Sequence, residues 1–192
     1  KTACLLLAHG AKINQPDSDG GNPLLSALNM PGGPELEAIR FLIERGVDVN
    51  KASADIGATP LYIAAANGFQ GVVSLLLENG ANPNIVSTDI GATPLYIAAQ
   101  NGHQGIVSLL LDKQADPNIG LSETKVTPLY IAAYNGHVDV VELLLRAKPV
   151  VDATTTDGRT ALFIAACNGH IDVVKLLLRA KPVVDATTTD GR

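Results

Sequence analysis

The chain has 192 residues, 46% apolar and 4% aromatic, with a net charge of −5, two cysteines and no tryptophan. That composition supports an aliphatic core of Leu, Ile, Val and Ala, and its mild acidity argues against a general nucleic-acid binder, which needs a basic stripe over a whole face. Cys4 and Cys167 are too few and too far apart for a disulfide framework or a zinc site, which points to a reduced, cytoplasmic protein. No apolar run is long enough to span a bilayer, and no signal-peptide pattern opens the chain.

Self-similarity dominates the sequence. Thr59-Pro60-Leu61 returns as Thr93-Pro94-Leu95, Thr127-Pro128-Leu129 and Thr160-Ala161-Leu162, with a weaker copy at Asn22-Pro23-Leu24. DIGATPLYIAA stands unchanged at 55–65 and 89–99, and LLLRAKPVVDATTTDGR at 143–159 and 176–192. Such a period marks a stacked-repeat architecture.

In chain order, residues 1–16 read as the second helix and tail of one unit. Whole units follow at 17–53, 54–87, 88–121, 122–154 and 155–187, and 188–192 begin another. Both ends therefore cut through a unit, and Lys1 stands where a native start has Met, so the chain is read as a piece of a longer array. Within a unit, Thr59 caps a first helix and Pro60 takes its first position, where a missing N–H costs nothing. Leu61, Ala64 and Ala65 share one face, and Asn67-Gly68 ends the helix. A second helix carries Val72, Val73, Leu75, Leu76 and Leu77, apolar nearly all round and so buried between layers. Gly80 closes it, and an extended arm from Asn82-Pro83-Asn84 turns at Gly91 into the next unit. One unit cannot bury its own apolar faces, so the expectation is an all-α, elongated, curved solenoid of stacked helix-turn-helix units joined by hairpin-like or extended loops.

G-x-T-P-L-x-x-A-A-x-N-G-H at 91–103 and L-L-L-x-x-G-A-x-x-N at 75–84 resemble the ankyrin repeat family over nearly the whole chain. The resemblance implies a non-enzymatic scaffold that binds another protein on a concave side made of hairpin tips and first helices. Four departures stand out. Tyr62, Tyr96, Tyr130 and Phe163 replace the family's histidine and are expected to add ring surface to the core. Gln114, Lys148 and Lys181 replace the helix-ending Gly, and Lys125 replaces the hairpin Gly, so changed turns are expected there. Met30 to Pro34 widen one inter-helix loop into a candidate finger.

The family geometry directs tip and helix-end side chains into the groove. They are Asp55, Ile56, Ala58, Ala66 and Asn67, then Asp89, Ile90, Ala92, Gln100 and Asn101. The next unit supplies Glu123, Thr124, Val126, Tyr134 and Asn135. The last whole unit supplies Thr156, Asp157, Arg159, Cys167 and Asn168. Ile56, Ile90 and Tyr134 are the expected anchors, with acidic tips steering a basic segment toward them. Asp19, Asp55, Asp89, Asp157 and Asp190 also suit plain turn chemistry.

His103, His137 and His170 recur at the start of second helices and are expected to form a structural ladder, since catalytic or metal-binding groups converge on one point. Cys167 is expected to be an ordinary thiol. Arg146, Lys148, Arg159, Lys175, Arg179, Lys181 and Arg192 cluster toward the end, with Asp152, Asp157, Asp172 and Asp185 among them, which favours a solvated face over a phosphate site. The expected protein is a monomer with no cofactor, metal, small-molecule substrate, nucleic acid or membrane insertion. The alternatives are a recruiting arm of a larger enzyme or bacterial effector, and a plain spacer. Near-identical repeats are similar to those of secreted proteins from intracellular bacteria, large DNA viruses and some protists, which implies work in a host cytosol.

Overall fold

The computed structural model describes Asn14 and residues 23–180. The partial units at 1–16 and 188–192, with Cys4, Asp19, Lys181, Asp185, Asp190 and Arg192, lie outside them. Ten helices follow in order: α1 (Pro23–Leu28), α2 (Leu36–Glu44), α3 (Pro60–Ala66), α4 (Gln70–Glu78), α5 (Pro94–Gln100), α6 (Gln104–Asp112), α7 (Pro128–Asn135), α8 (Val138–Arg146), α9 (Ala161–Cys167) and α10 (Ile171–Arg179).

The starts of the first helices are set by threonine. Thr59, Thr93, Thr127 and Thr160 are extended and accept from the N–H three residues on, at 3.1–3.2 Å. Proline stands at the first position of α3, α5 and α7, while α9 starts on Ala161 with its threonine cap intact. These helices end at glycines with positive φ, such as Gly102 (φ 73°). A Cβ there would lie 2.9 Å from the His137 ring, so both backbone and neighbour require glycine. Asn67, Asn101 and Asn168 keep right-handed backbones, contrary to the left-handed role expected of Asn67. The glycine alone makes the turn.

Helices stack in two rows. α1, α3, α5, α7 and α9 pack side by side, as do α2, α4, α6, α8 and α10, and each pair packs internally. Leu61, Leu76, Leu95, Leu110, Leu129, Leu144 and Leu177 are at most 1% exposed, and Ala64, Ala65, Ala98, Ala99, Ala132 and Ala133 are sealed between them. All five apolar residues picked out in α4 are buried. The core is one seam running through every layer.

Polar ties follow the same repeat. Asn50 donates from Nδ2 to the Gly80 carbonyl (3.2 Å) and accepts from the Asn82 N–H (2.8 Å). Asn84 does the same to Gln114 and Asp116, and Asn14 to Gly46 and Asp48. Each carboxamide thus mimics a strand partner for the next unit's loop.

The loops before the first helices are hairpin-like without forming a strand among the described residues. Single cross-bonds close them, Ser53 N–H to Ala58 carbonyl, Ser87 to Ala92, Leu121 to Val126 and Thr155 to Arg159. Successive tips are tied by Thr88 N–H to Ile56 carbonyl (2.8 Å), Ser122 to Ile90 (3.0 Å) and Thr156 to Thr124 (3.0 Å).

Three turns correct the sequence expectation. Gln114 (φ 62°), Lys125 (φ 60°) and Lys148 (φ 55°) keep the left-handed backbone of the glycines they replace. The bonds around Gln114, from its own N–H to Leu111 and from Ala115 N–H to Leu110, fix the turn whatever the side chain. Gln114→Gly is therefore expected to stabilise the array by about 0.5–1 kcal/mol, read as a higher urea midpoint at unchanged slope. The Met30–Pro34 loop closes on a Gly33 N–H to Met30 bond, with Gly33 lying against the Phe69 ring and Met30 exposed.

Candidate protein-binding surface

The residues singled out from sequence separate into two groups. Ile56 (38% exposed), Ile90 (44%) and Tyr134 (47%) are open to solvent. Asp55, Asp89, Glu123, Thr124, Thr156, Asp157 and Cys167 are also exposed, and Ala66 and Gln100 are half-buried. Ala58 and Ala92, in contrast, are 1% exposed and face the interior. Each donates its N–H to a serine hydroxyl across the loop, at 3.0 and 3.1 Å, which folds the side chain beneath the tip. They are not contact side chains. Val126 is half-buried against the core.

The asparagines are also engaged within the array. Asn101, Asn135 and Asn168 donate from Nδ2 to the carbonyls of Ala66, Gln100 and Tyr134, each in the preceding unit, at 2.8–3.0 Å. Asn67 donates to Ile63 of its own helix (2.9 Å). Their carboxamide donors therefore join helices.

His103, His137 and His170 reach those same three carbonyls from Nε2, at 3.3, 3.0 and 2.9 Å. A carbonyl only accepts, so Nε2 carries the proton and has no lone pair to offer an ion or a substrate. The three rings serve three separate acceptors, which makes a ladder between layers. Phe69 holds the corresponding place before α4. Among the described residues no three His, Cys, Asp or Glu gather around a point able to hold a metal, and no helix is long and apolar enough to cross a membrane.

The tip carboxylates combine turn chemistry with exposure. Asp55 and Asp89 accept from the next N–H at 2.7 Å. The Ser53 and Ser87 hydroxyls beside them, then those backbone bonds, hold both carboxyls below the ordinary value. The Thr155 hydroxyl does the same for Asp157, which also pairs with Arg159 at 3.1 Å. The basic cluster near the end is compensated too, Arg146 by Glu142 (2.7 Å) and Lys175 by Asp172 (2.9 Å).

Tyr96 and Tyr130 are buried and Tyr62 half-buried, as ring packing requires. Burial is the first cause raising all three phenols above their ordinary value. A hollow of about 370 Å3 lies near the inter-helix turns at Gly136 and Gly169, against Val138, Ile171 and Asp172.

A family model described as ankyrin repeats (3 copies) matches residues 36–121 and 119–190. The chain belongs to the ankyrin repeat family. It is 38% identical over 71 residues to the ankyrin repeat and KH domain-containing protein mask-1 of Caenorhabditis elegans, a match covering 37% of this chain and 3% of that protein. It is 40% identical over 64 residues to the ankyrin repeat and KH domain-containing protein CBG24701 of Caenorhabditis briggsae, covering 33% of this chain and 2% of that protein. The match thus spans only a small part of either relative. Ankyrin repeats are in general protein–protein interaction modules, typically without enzymatic activity.

Proposed function

We propose that this array is a non-enzymatic scaffold that holds another protein across its tips and first-helix ends. The observation that carries the reading is the exposure of Ile56, Ile90 and Tyr134 at positions the stacked core does not use. Large apolar side chains ringed by polar groups are the usual anchors of protein interfaces. Tip residues also differ between units, Ile90 giving way to Thr124 and Asp157, as a binding surface allows and a plain spacer does not need.

A recruiting arm of a larger protein is the second reading. It draws on the relatives, in which the matched repeats fill 3% and 2% of much longer chains. In either role we place the array in the cytoplasm, on its low cysteine content.

The test is capture from cell lysate by the wild type, by Ile56→Ala/Ile90→Ala/Tyr134→Ala, and by a control carrying Glu78→Ala and Lys175→Ala on second helices. The triple variant is expected to lose its specific partners about 100-fold in affinity, at about 1 kcal/mol per anchor, with an unchanged thermal midpoint. Equal capture by the triple variant, with loss in the control, would overturn the reading.

A further inference from the structure

We propose that the tips before α3 and α5, with Tyr62 and Tyr96 behind them, form a seat for an arginine side chain of the partner protein. The inference rests on the protein-binding reading above and names the chemistry of the segment that docks.

The first observation is uncompensated charge beside apolar surface. Asp55, Asp89 and Glu123 lie on three successive tips, and none makes an ion pair among the described residues. Lys125, in the loop with Glu123, donates its Nζ to the Ser122 carbonyl instead (2.9 Å). Asp55 and Asp89 are close enough for each to disfavour charge on the other, yet hydroxyl and backbone bonds hold both ionised. Ile56 and Ile90 stand exposed next to them. A cation on an apolar stem suits both features.

The second observation is independent of charge. Tyr96 is 5% exposed, and neither its hydroxyl nor that of Tyr62 has a hydrogen-bond partner among the described residues. No buried side-chain polar atom there lacks a partner, so both hydroxyls reach the surface. Tyr62 lies near Asp89, and Tyr96 near Tyr62. Two open phenols and two carboxylates therefore share one neighbourhood.

The third observation is that the chain fills the corresponding place itself one layer further on. Before α9, Arg159 pairs with Asp157 (3.1 Å), hydrogen-bonds the Tyr130 hydroxyl, and holds its guanidinium 5.9 Å from the centre of the Phe163 ring. Counted from the capping threonine, Arg159 occupies the position of Ala58 and Ala92. Those alanines reach nothing, so carboxylate, phenol and aromatic ring stand without a guanidinium. Arginine fits better than lysine because its planar fork pairs with carboxylate and stacks on rings at once.

The experiment pans a displayed library of random peptides against the whole chain, then measures recovered peptides by fluorescence anisotropy. The expected binders carry an arginine flanked by apolar residues and weaken with added salt. Asp55→Asn/Asp89→Asn keeps the oxygens that accept from the tip N–H groups, and is expected to weaken binding about ten-fold at an unchanged thermal midpoint. Tyr62→Phe/Tyr96→Phe is expected to weaken it about three-fold. Arg→Gln in the peptide should match the loss from the aspartate variant. Binders without a basic residue, no recoverable binder, or affinity within about two-fold on the aspartate variant each overturn the seat. Partners that survive Asp55→Asn/Asp89→Asn but are lost from Ile56→Ala/Ile90→Ala/Tyr134→Ala overturn the seat and leave the protein-binding reading standing.

Discussion

Leu95→Ala is expected to cost the array about 3–4 kcal/mol. Leu95 is fully buried in α5, which packs on α3, on α7 and on its own partner α6. Truncation removes the transfer energy of the lost atoms and leaves a cavity that three helices border. Each layer also supports the next, so the loss spreads along the stack. Urea unfolding followed by circular dichroism measures it, and amide exchange should quicken first in α3–α7. Leu178→Ala, at an exposed site on α10, should stay within about 0.5 kcal/mol of the wild type. A loss below about 1 kcal/mol at Leu95 would mean that the layers do not share one seam.

Asn135→Ala combined with His137→Ala is the second large effect, at about 2–3 kcal/mol. Both side chains donate to the Gln100 carbonyl, each at 3.0 Å. That carbonyl belongs to the last turn of α5, where no intrahelical donor remains. Removing one donor leaves it served by the other, so each single variant should cost about 0.5–1 kcal/mol. Removing both orphans it. The double variant should therefore cost more than the sum of the singles, and a double-mutant cycle in urea reads the sign directly. Simple additivity would show that solvent replaces both donors and that this tie is dispensable.

The same structural logic explains what could be read from sequence. The T-P-L turns carry the helix starts in themselves, because a threonine hydroxyl and a proline ring act on their own backbone. The apolar run of α4 declared its burial, since no helix face was left for water. The histidine ladder followed from its recurrence, because equal positions in stacked layers cannot converge. Gln114, Lys125 and Lys148 misled, since residue preference favoured altered turns. Neighbouring backbone bonds hold the left-handed conformation at those places against that preference.

The binding surface was harder to read. Ala58 and Ala92 stand two residues after Ile56 and Ile90, yet the alanines turn inward while the isoleucines stay outside. Alternation along an extended strand places residues two apart on one side. These loops are turns closed by a single cross-bond, so that rule does not apply. The bridging role of Asn50 and Asn84 lay in the repeat spacing and was open to sequence reasoning. The approach of Arg159 to Tyr130 depends on how one layer's tip meets the previous layer's first helix, which no single unit records.

The central claim is that the stacked core leaves its tips and first-helix ends free to hold a protein. Hydrogen–deuterium exchange of the array with and without its captured partner tests it most directly. Protection is expected in the segments around Asp55–Ile56, Asp89–Ile90, Glu123–Thr124 and Tyr134, with α4, α6 and α8 unchanged. Protection confined to the second helices, with the tips exchanging as before, would contradict the account.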